Sequence, residues 1–137
     1  MALKLAWEYQ DFQGEILAFE PPQGAKLLET ASYEKGKEVP KGAAITDGVV
    51  FVKPGEEKLV QVVYQNPTDK PVKFWVVPHV VDPMSHMPKT ILKCLCTGQR
   101  YEVPANGSWS RVIGVQVTKD VQPGTKLKAT HVVVKEE

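Results

Sequence analysis

No run of about 18 apolar residues occurs in this 137-residue chain, so the sequence offers no transmembrane helix. The opening stretch, Met1 to Asp11, has neither the basic leader nor the apolar core of a signal peptide. The expectation is therefore a soluble chain; an extracytoplasmic protein would carry its signal or anchor outside these residues. Charge of one sign is also missing. Seventeen Lys and Arg against sixteen Asp and Glu leave a formal net charge of +1, which excludes the electrostatic footprint of a nucleic-acid binder. Nothing pairs a nucleophile with a base, sets two carboxylates together or builds a glycine-rich phosphate loop, so the sequence does not describe an enzyme. No amphipathic helix follows Ala44, which argues against an α/β fold, and no repeat or low-complexity tract is present. Cysteine is scarce, with two residues, Cys94 and Cys96.

What is present is a β pattern. The length and the 42% hydrophobic content suit one domain. From Ile45 onward, short β-rich runs alternate with turn signals at roughly 8–12-residue spacing. The runs are Gly48–Val52, Lys58–Tyr64, Val72–His79, Ile91–Cys96, Tyr101–Val103, Trp109–Val117 and Thr125–Val134. Lys53-Pro54-Gly55-Glu56, Asn66-Pro67-Thr68-Asp69, Pro104-Ala105-Asn106-Gly107 and Val121-Gln122-Pro123-Gly124 punctuate them. The pattern predicts an all-β domain over 46–137, an immunoglobulin-like (cupredoxin-like) antiparallel β-sandwich. Residues 1–45 read differently. Gly14–Phe19 offers one strand, Pro21-Pro22-Gln23-Gly24 breaks it, and Ala25–Ala44 is rich in Lys, Glu and Gly without sustained period. The expectation there is an extended N-terminal arm or lid, with Trp7, Tyr9 and Phe12 as residues able to dock it.

The residues with chemistry cluster late. In a strand, Cys94 and Cys96 share one face with Cα atoms about 6.6 Å apart. That separation is near the outer limit for a disulfide and gives nearly parallel Cβ directions, so an internal bond is strained. A shared metal ion fits better, and paired thiolates select Cu(I) or zinc over hard cations. Just upstream, His79-Val80-Val81-Asp82-Pro83-Met84-Ser85-His86-Met87 holds four more candidate ligands, His79, Met84, His86 and Met87, in what reads as a proline-bounded connection. Against this stands the plainer alternative of two buried cysteines and packing methionines. His131, in the alternation Leu127, Ala129, His131, Val133, falls on the apolar face and is expected to be a core or rim histidine with its hydrogen bonds met. Trp75 and Trp109 are expected in a core or interface.

In order, Val52-Lys53-Pro54-Gly55-Glu56, then Tyr64-Gln65-Asn66-Pro67-Thr68-Asp69-Lys70-Pro71, then Lys93-Cys94-Leu95-Cys96 and Gln99 resemble the soluble domain of CtaG-type cytochrome c oxidase copper-assembly proteins. The resemblance spans about Val49 to Val117, with Leu95 standing where that family favours an aromatic. It implies an immunoglobulin-like sandwich with Cys94 and Cys96 as Cu(I) thiolates. It also implies a place outside the cytoplasm on a membrane, in the periplasm or at the cell surface. The partner implied is a membrane protein that accepts copper, and a homodimer bridged by shared copper is compatible with it.

Three rivals stay open. A zinc site from His79 or His86 with both cysteines fits the ligand types but no familiar spacing. A blue-copper electron-transfer site is disfavoured, because no His or Met follows Cys96 until His131. A metal-free sandwich would serve as an accessory subunit or interaction module, with Trp7, Trp75 or Trp109 in the contact.

Overall fold

Leu3, Leu5, Trp7 and Tyr9 alternate with Lys4, Ala6, Glu8 and Gln10, the period-two pattern that turns one row of side chains inward. They form the first strand, β1 (Ala2–Gln10), of a computed structural model that describes residues 1–93 and 98–136. The remaining strands are β2 (Ile16–Phe19), β3 (Thr30–Tyr33), β4 (Val49–Phe51), β5 (Lys58–Gln65) and β6 (Val72–Asp82). They are followed by β7 (Thr90–Lys93), β8 (Tyr101–Val103), β9 (Ser108–Val117) and β10 (Lys126–Lys135). Among the described residues no helix is long and apolar enough to cross a membrane.

The strands make two sheets. One has the order β4-β1-β10-β6-β8, and the other the order β2-β5-β9-β3 with β7 also on β9. β3 and β7 share one edge of β9, β3 along Ser108–Arg111 and β7 along Gly114–Val117. The fold is an all-β sandwich, antiparallel except that the first and last strands, β1 and β10, run parallel. Its core is built from alternate residues of the inward rows: Leu3 and Leu5 of β1, Val60, Val62 and Tyr64 of β5, Phe74 and Val76 of β6, Ile113, Val115 and Val117 of β9. Trp109 and Phe74 meet edge to face at 5.2 Å between ring centroids, a geometry that adds about 0.5–1.5 kcal/mol beyond burial.

The expected division into an arm at 1–45 and a sandwich at 46–137 does not describe this molecule. β1 lies between β4 and β10, β2 pairs β5, and β3 pairs β9, so the first 45 residues are woven into both sheets. The physical reason is that β1 carries a complete inward row. Phe12 beyond it is also buried, against Tyr64 at 4.4 Å and Phe74 at 5.2 Å. The polar stretch after β2 is held by backbone and side-chain bonds rather than by apolar period. Gly42 N–H donates to Glu20 O (2.8 Å), Glu20 N–H to Ala43 O (2.8 Å), and Gln61 Nε2 to Pro40 O (2.9 Å).

The segment expected as a connection from His79 onward is also different. β6 continues through His79 to Asp82, and the turn-like part is confined to a 3-10 helix at Met84–Lys89. The strand survives a proline because its pairing with β10 slips there: Val77 faces Val132 and Val80 faces Thr130, leaving Pro78 and His79 opposite His131. A bulge is where a sheet tolerates a residue with no N–H to donate.

Candidate functional site

Lys93 ends β7 on the edge of one sheet, opposite Gly114, and Tyr101 begins its pairing with Phe74 in the other sheet. The chain therefore passes from sheet to sheet between these two residues. Cys94 and Cys96 belong to that stretch and lie outside the described residues. Their bordering residues are exposed: Lys93, whose Nζ reaches Glu57 Oε2 at 3.2 Å, on one side, and Gly98, Gln99 and Arg100 on the other. Arg100 has its guanidinium 5.1 Å from the centre of the Trp75 ring, its Nε 3.5 Å from Glu136 Oε2, and its Nη1 donating to Gly98 O at 3.2 Å.

The 3-10 helix before β7 carries three of the candidate ligands. Met84 is exposed at 63% of its surface. His86 is half-buried; its Nδ1 is 3.3 Å from Ser85 Oγ, and its carbonyl accepts from the Thr90 hydroxyl at 2.8 Å. Met87 packs against the core and its Sδ accepts the Val81 N–H at 3.3 Å, so its sulfur is turned toward the β6 backbone. The helix is tied down at its far end by Lys89 Nζ, 2.8 Å from Asp120 Oδ2. Lys89, together with the Thr118 hydroxyl, holds the Asp120 carboxyl down at about 2.

His79, at the bulge of β6, is half-buried and faces inward, with its ring centroid 5.5 Å from that of His131. Among the described residues no three His, Cys, Asp or Glu side chains come together as a metal-sized group. His79 and His86 are thus not gathered with a third such ligand there, and the thiols stand outside that comparison.

His131 is where expectation and structure part. It is in the core, as the alternation of β10 implies, at 0% exposure, but among the described residues neither ring nitrogen has a hydrogen-bond partner. A neutral imidazole has one donor and one acceptor, and each left unmet in the interior costs about 1–3 kcal/mol. Its ring stacks on Trp7 at 4.8 Å, so Trp7, His131 and His79 form a row across β1, β10 and β6. The His131 position was legible from the β10 alternation; its lack of partners was not.

A separate cleft of about 550 Å³ opens between β1 and β2. Leu5, Trp7, Tyr9, Ile16, Ala18 and Ile45 are among its lining residues, and among the described residues no His or Met lines it. Tyr9 spans it, its hydroxyl accepting the Ile16 N–H at 2.8 Å.

Neither a curated protein nor a solved structure shows a significant match to this chain. A family model does, and it covers residues 1–136 as one unit, in keeping with the weaving of the first 45 residues into both sheets. The chain belongs to the DUF8709 family, a domain of unknown function.

Proposed function

We propose that this sandwich is a non-enzymatic Cu(I) carrier that takes up the ion on Cys94 and Cys96 and gives it to a membrane metalloenzyme such as a cytochrome oxidase. The observation that carries the proposal is the soft-ligand pair itself, two thiols one residue apart in Lys93-Cys94-Leu95-Cys96. Among the described residues, Lys93 before the pair ends β7, which is paired with β9, and Lys93 and Gly98, Gln99 and Arg100 after it are exposed. A carrier needs soft ligands that an incoming donor can reach. Two thiolates suit Cu(I) by softness and leave coordination positions for stepwise exchange with an acceptor. The resemblance to CtaG-type proteins supports the same ion and an extracytoplasmic, membrane-associated setting.

Met84, exposed on the adjoining helix, is the thioether best presented to an ion in transit, and His86 is the second supporting ligand. Met87 contributes less, since its sulfur already serves the Val81 amide. A zinc role would draw on the same thiols with His79 or His86. A metal-free interaction module is favoured by the cleft between β1 and β2, beside which Leu17 is 52% exposed. Of the tryptophans considered for such a contact, Trp109 is excluded by its 1% exposure.

The test is an anaerobic Cu(I) titration of the reduced protein against a competing chromophoric chelator, with zinc in parallel. Cys94→Ser and Cys96→Ser are each expected to weaken Cu(I) binding by at least about 100-fold, or roughly 2.7 kcal/mol, with the fold intact. His86→Ala is expected to weaken it less. Unchanged Cu(I) affinity in both cysteine variants would remove the copper assignment, and tight zinc binding without Cu(I) binding would favour the zinc role.

A further inference from the structure

We infer that the open edge of β1 at Trp7 and Tyr9 is a strand-addition site. Its occupant is an extended, basic peptide segment of another protein, with alternate apolar residues, seated in the cleft between β1 and β2. The site uses none of the candidate copper ligands, so it goes beyond the Cys94–Cys96 reading and stands or falls separately from it.

The backbone carries the argument. β10 covers β1 from Ala2 to Gln10, but β4 covers the other side only at Ala2, Leu3 and Lys4. In a parallel pair, one residue turns both its N–H and its C=O to the neighbouring strand and the next turns both away. Ala2 N–H donates to Thr125 O at 3.0 Å, which assigns the even-numbered residues of β1 to β10. Met1 exchanges bonds with Val52 on the opposite side, at 3.0 and 2.9 Å. The unbroken register therefore turns the N–H and C=O of Leu5, Trp7 and Tyr9 away from β10. At Leu5 that side is occupied by the turn before β4, where a Cβ added to Gly48 would stand 2.6 Å from the Leu5 carbonyl oxygen. At Trp7 and Tyr9, no backbone bond is made on that side among the described residues. Two donors and two acceptors thus stand in a row at strand spacing, the template on which β-augmentation works. The facing edge of β2 is already engaged: Ile16 N–H goes to the Tyr9 hydroxyl at 2.8 Å, and Ala18 O accepts the Ile45 N–H at 2.9 Å.

The cleft defines the occupant. An added strand turns every second side chain toward the cleft of about 550 Å³, against Leu5, Ile16, Ala18 and Ile45, which calls for alternate apolar residues. Glu15, Asp47 and Lys4 line the same cleft, all exposed, and Glu8 is exposed between Trp7 and Tyr9. None of the four is in an ion pair among the described residues. Three carboxylates against one ammonium select a basic segment over an acidic one. The open edge lies inside a cleft walled by β2 and by residues 44–48 rather than on a flat border, which suits a single extended chain better than the edge of a second folded copy.

The experiment is amide hydrogen exchange on the full, reduced chain. In the free protein, the Trp7 and Tyr9 amides are expected to exchange at least about 100-fold faster than those of Ala6 and Glu8, which face β10. The probe is a synthetic heptapeptide of alternating Val and Thr with Lys at both ends. At saturation it is expected to slow Trp7 and Tyr9 at least about tenfold and leave Glu8 unchanged. The same peptide fully N-methylated, or ended with Glu, is expected to protect far less. Ala44→Trp, at an exposed position lining the cleft, is expected to weaken binding at least about tenfold with the fold intact. Glu15→Lys combined with Asp47→Asn should reverse the preference between the Lys-ended and Glu-ended peptides. Trp7 and Tyr9 amides as protected as Glu8 in the free protein, no protection by the Lys-ended peptide, or equal protection by the N-methylated one would each overturn the site. Protection that rises with protein concentration alone would give the edge to a second copy and overturn the peptide occupant. Loss of Cu(I) binding in the cysteine variants leaves this result untouched, and failure of the peptide leaves the copper titration untouched.

Discussion

Replacing Asn66 by Ala should cost about 2–3 kcal/mol of stability, although Asn66 is none of the proposed copper ligands. The side chain is 1% exposed and makes four hydrogen bonds. Nδ2 donates to the carbonyls of Lys70 (2.8 Å) and Pro104 (3.0 Å), and Oδ1 accepts from the Thr68 amide (2.9 Å) and the Thr68 hydroxyl (2.7 Å). Four bonds at about 1 kcal/mol each set an upper figure near 4 kcal/mol. Part of this is recovered. With Asn66 Oδ1 gone, the Thr68 hydroxyl turns its single proton to the Lys70 carbonyl 3.0 Å away, and the Pro104 carbonyl keeps the Gly107 amide at 2.9 Å. The Thr68 amide loses its acceptor outright, and the turn at 66–70 loses its side-chain tie to the turn at 104–107. Scaled to a domain of this length, 2–3 kcal/mol lowers Tm by roughly 6–15 °C, readable by circular dichroism. Native-state hydrogen exchange should show the Thr68 amide losing protection first. Asn66→Asp adds a sign test, because it keeps the acceptor for Thr68 but points an oxygen at two carbonyls. That raises the folded-state pKa of the new carboxyl, so its deficit against the parent should shrink as pH falls toward the unfolded carboxylate value near ~3.9. A Tm change under about 2 °C for Asn66→Ala, with Thr68 still protected, would refute this account of the turn.

Alkaline stability should be limited by Tyr64. Its phenol is pushed up to about 12, first by burial and then by the neighbouring Tyr9, and its hydroxyl donates to Gln13 O at 2.7 Å. A folded value above the unfolded one of about 10 gives stability that is whole below pH ~10 and lost as pH rises through ~12, worth at most roughly 3 kcal/mol. Phenolate absorbance assigned by difference from Tyr64→Phe should therefore appear together with the unfolding signal; titration near pH 10 in folded protein would contradict this. Two glycines should separate steric clash from backbone strain. Gly48 has φ +69°, and an added Cβ would meet the Leu5 carbonyl oxygen at 2.6 Å, whereas Gly124 has φ +87° with no atom within 4 Å. Gly48→Ala should cost more than about 2 kcal/mol and Gly124→Ala about 1, compared by chemical denaturation, and equal losses would undo the distinction.

The structure redistributes the candidate ligands by their partners. Met87 is engaged by the Val81 amide, His86 stands beside Ser85, Met84 is exposed, and His79 is drawn inward beside His131. Four residues close in sequence therefore point to different environments, because the strand ends at Asp82 and the 3-10 helix begins only at Met84. Sequence proximity could not separate them; the β6 bulge and the helix do.

The sequence by itself determined the β class and the strand-and-turn rhythm from Gly48 onward. Alternation and Pro, Gly and Asn turns are local signals that need no tertiary partner. It also held the signal for β1 in Leu3, Leu5, Trp7 and Tyr9, a plain alternation that lies beside the long polar stretch after Gly24. Only the tertiary structure decided that β1 runs parallel to β10, since pairing between opposite chain ends leaves no mark in either strand. The tertiary structure also set His131 against Trp7 and His79, because burial without hydrogen-bond partners depends on what three different strands bring to one place.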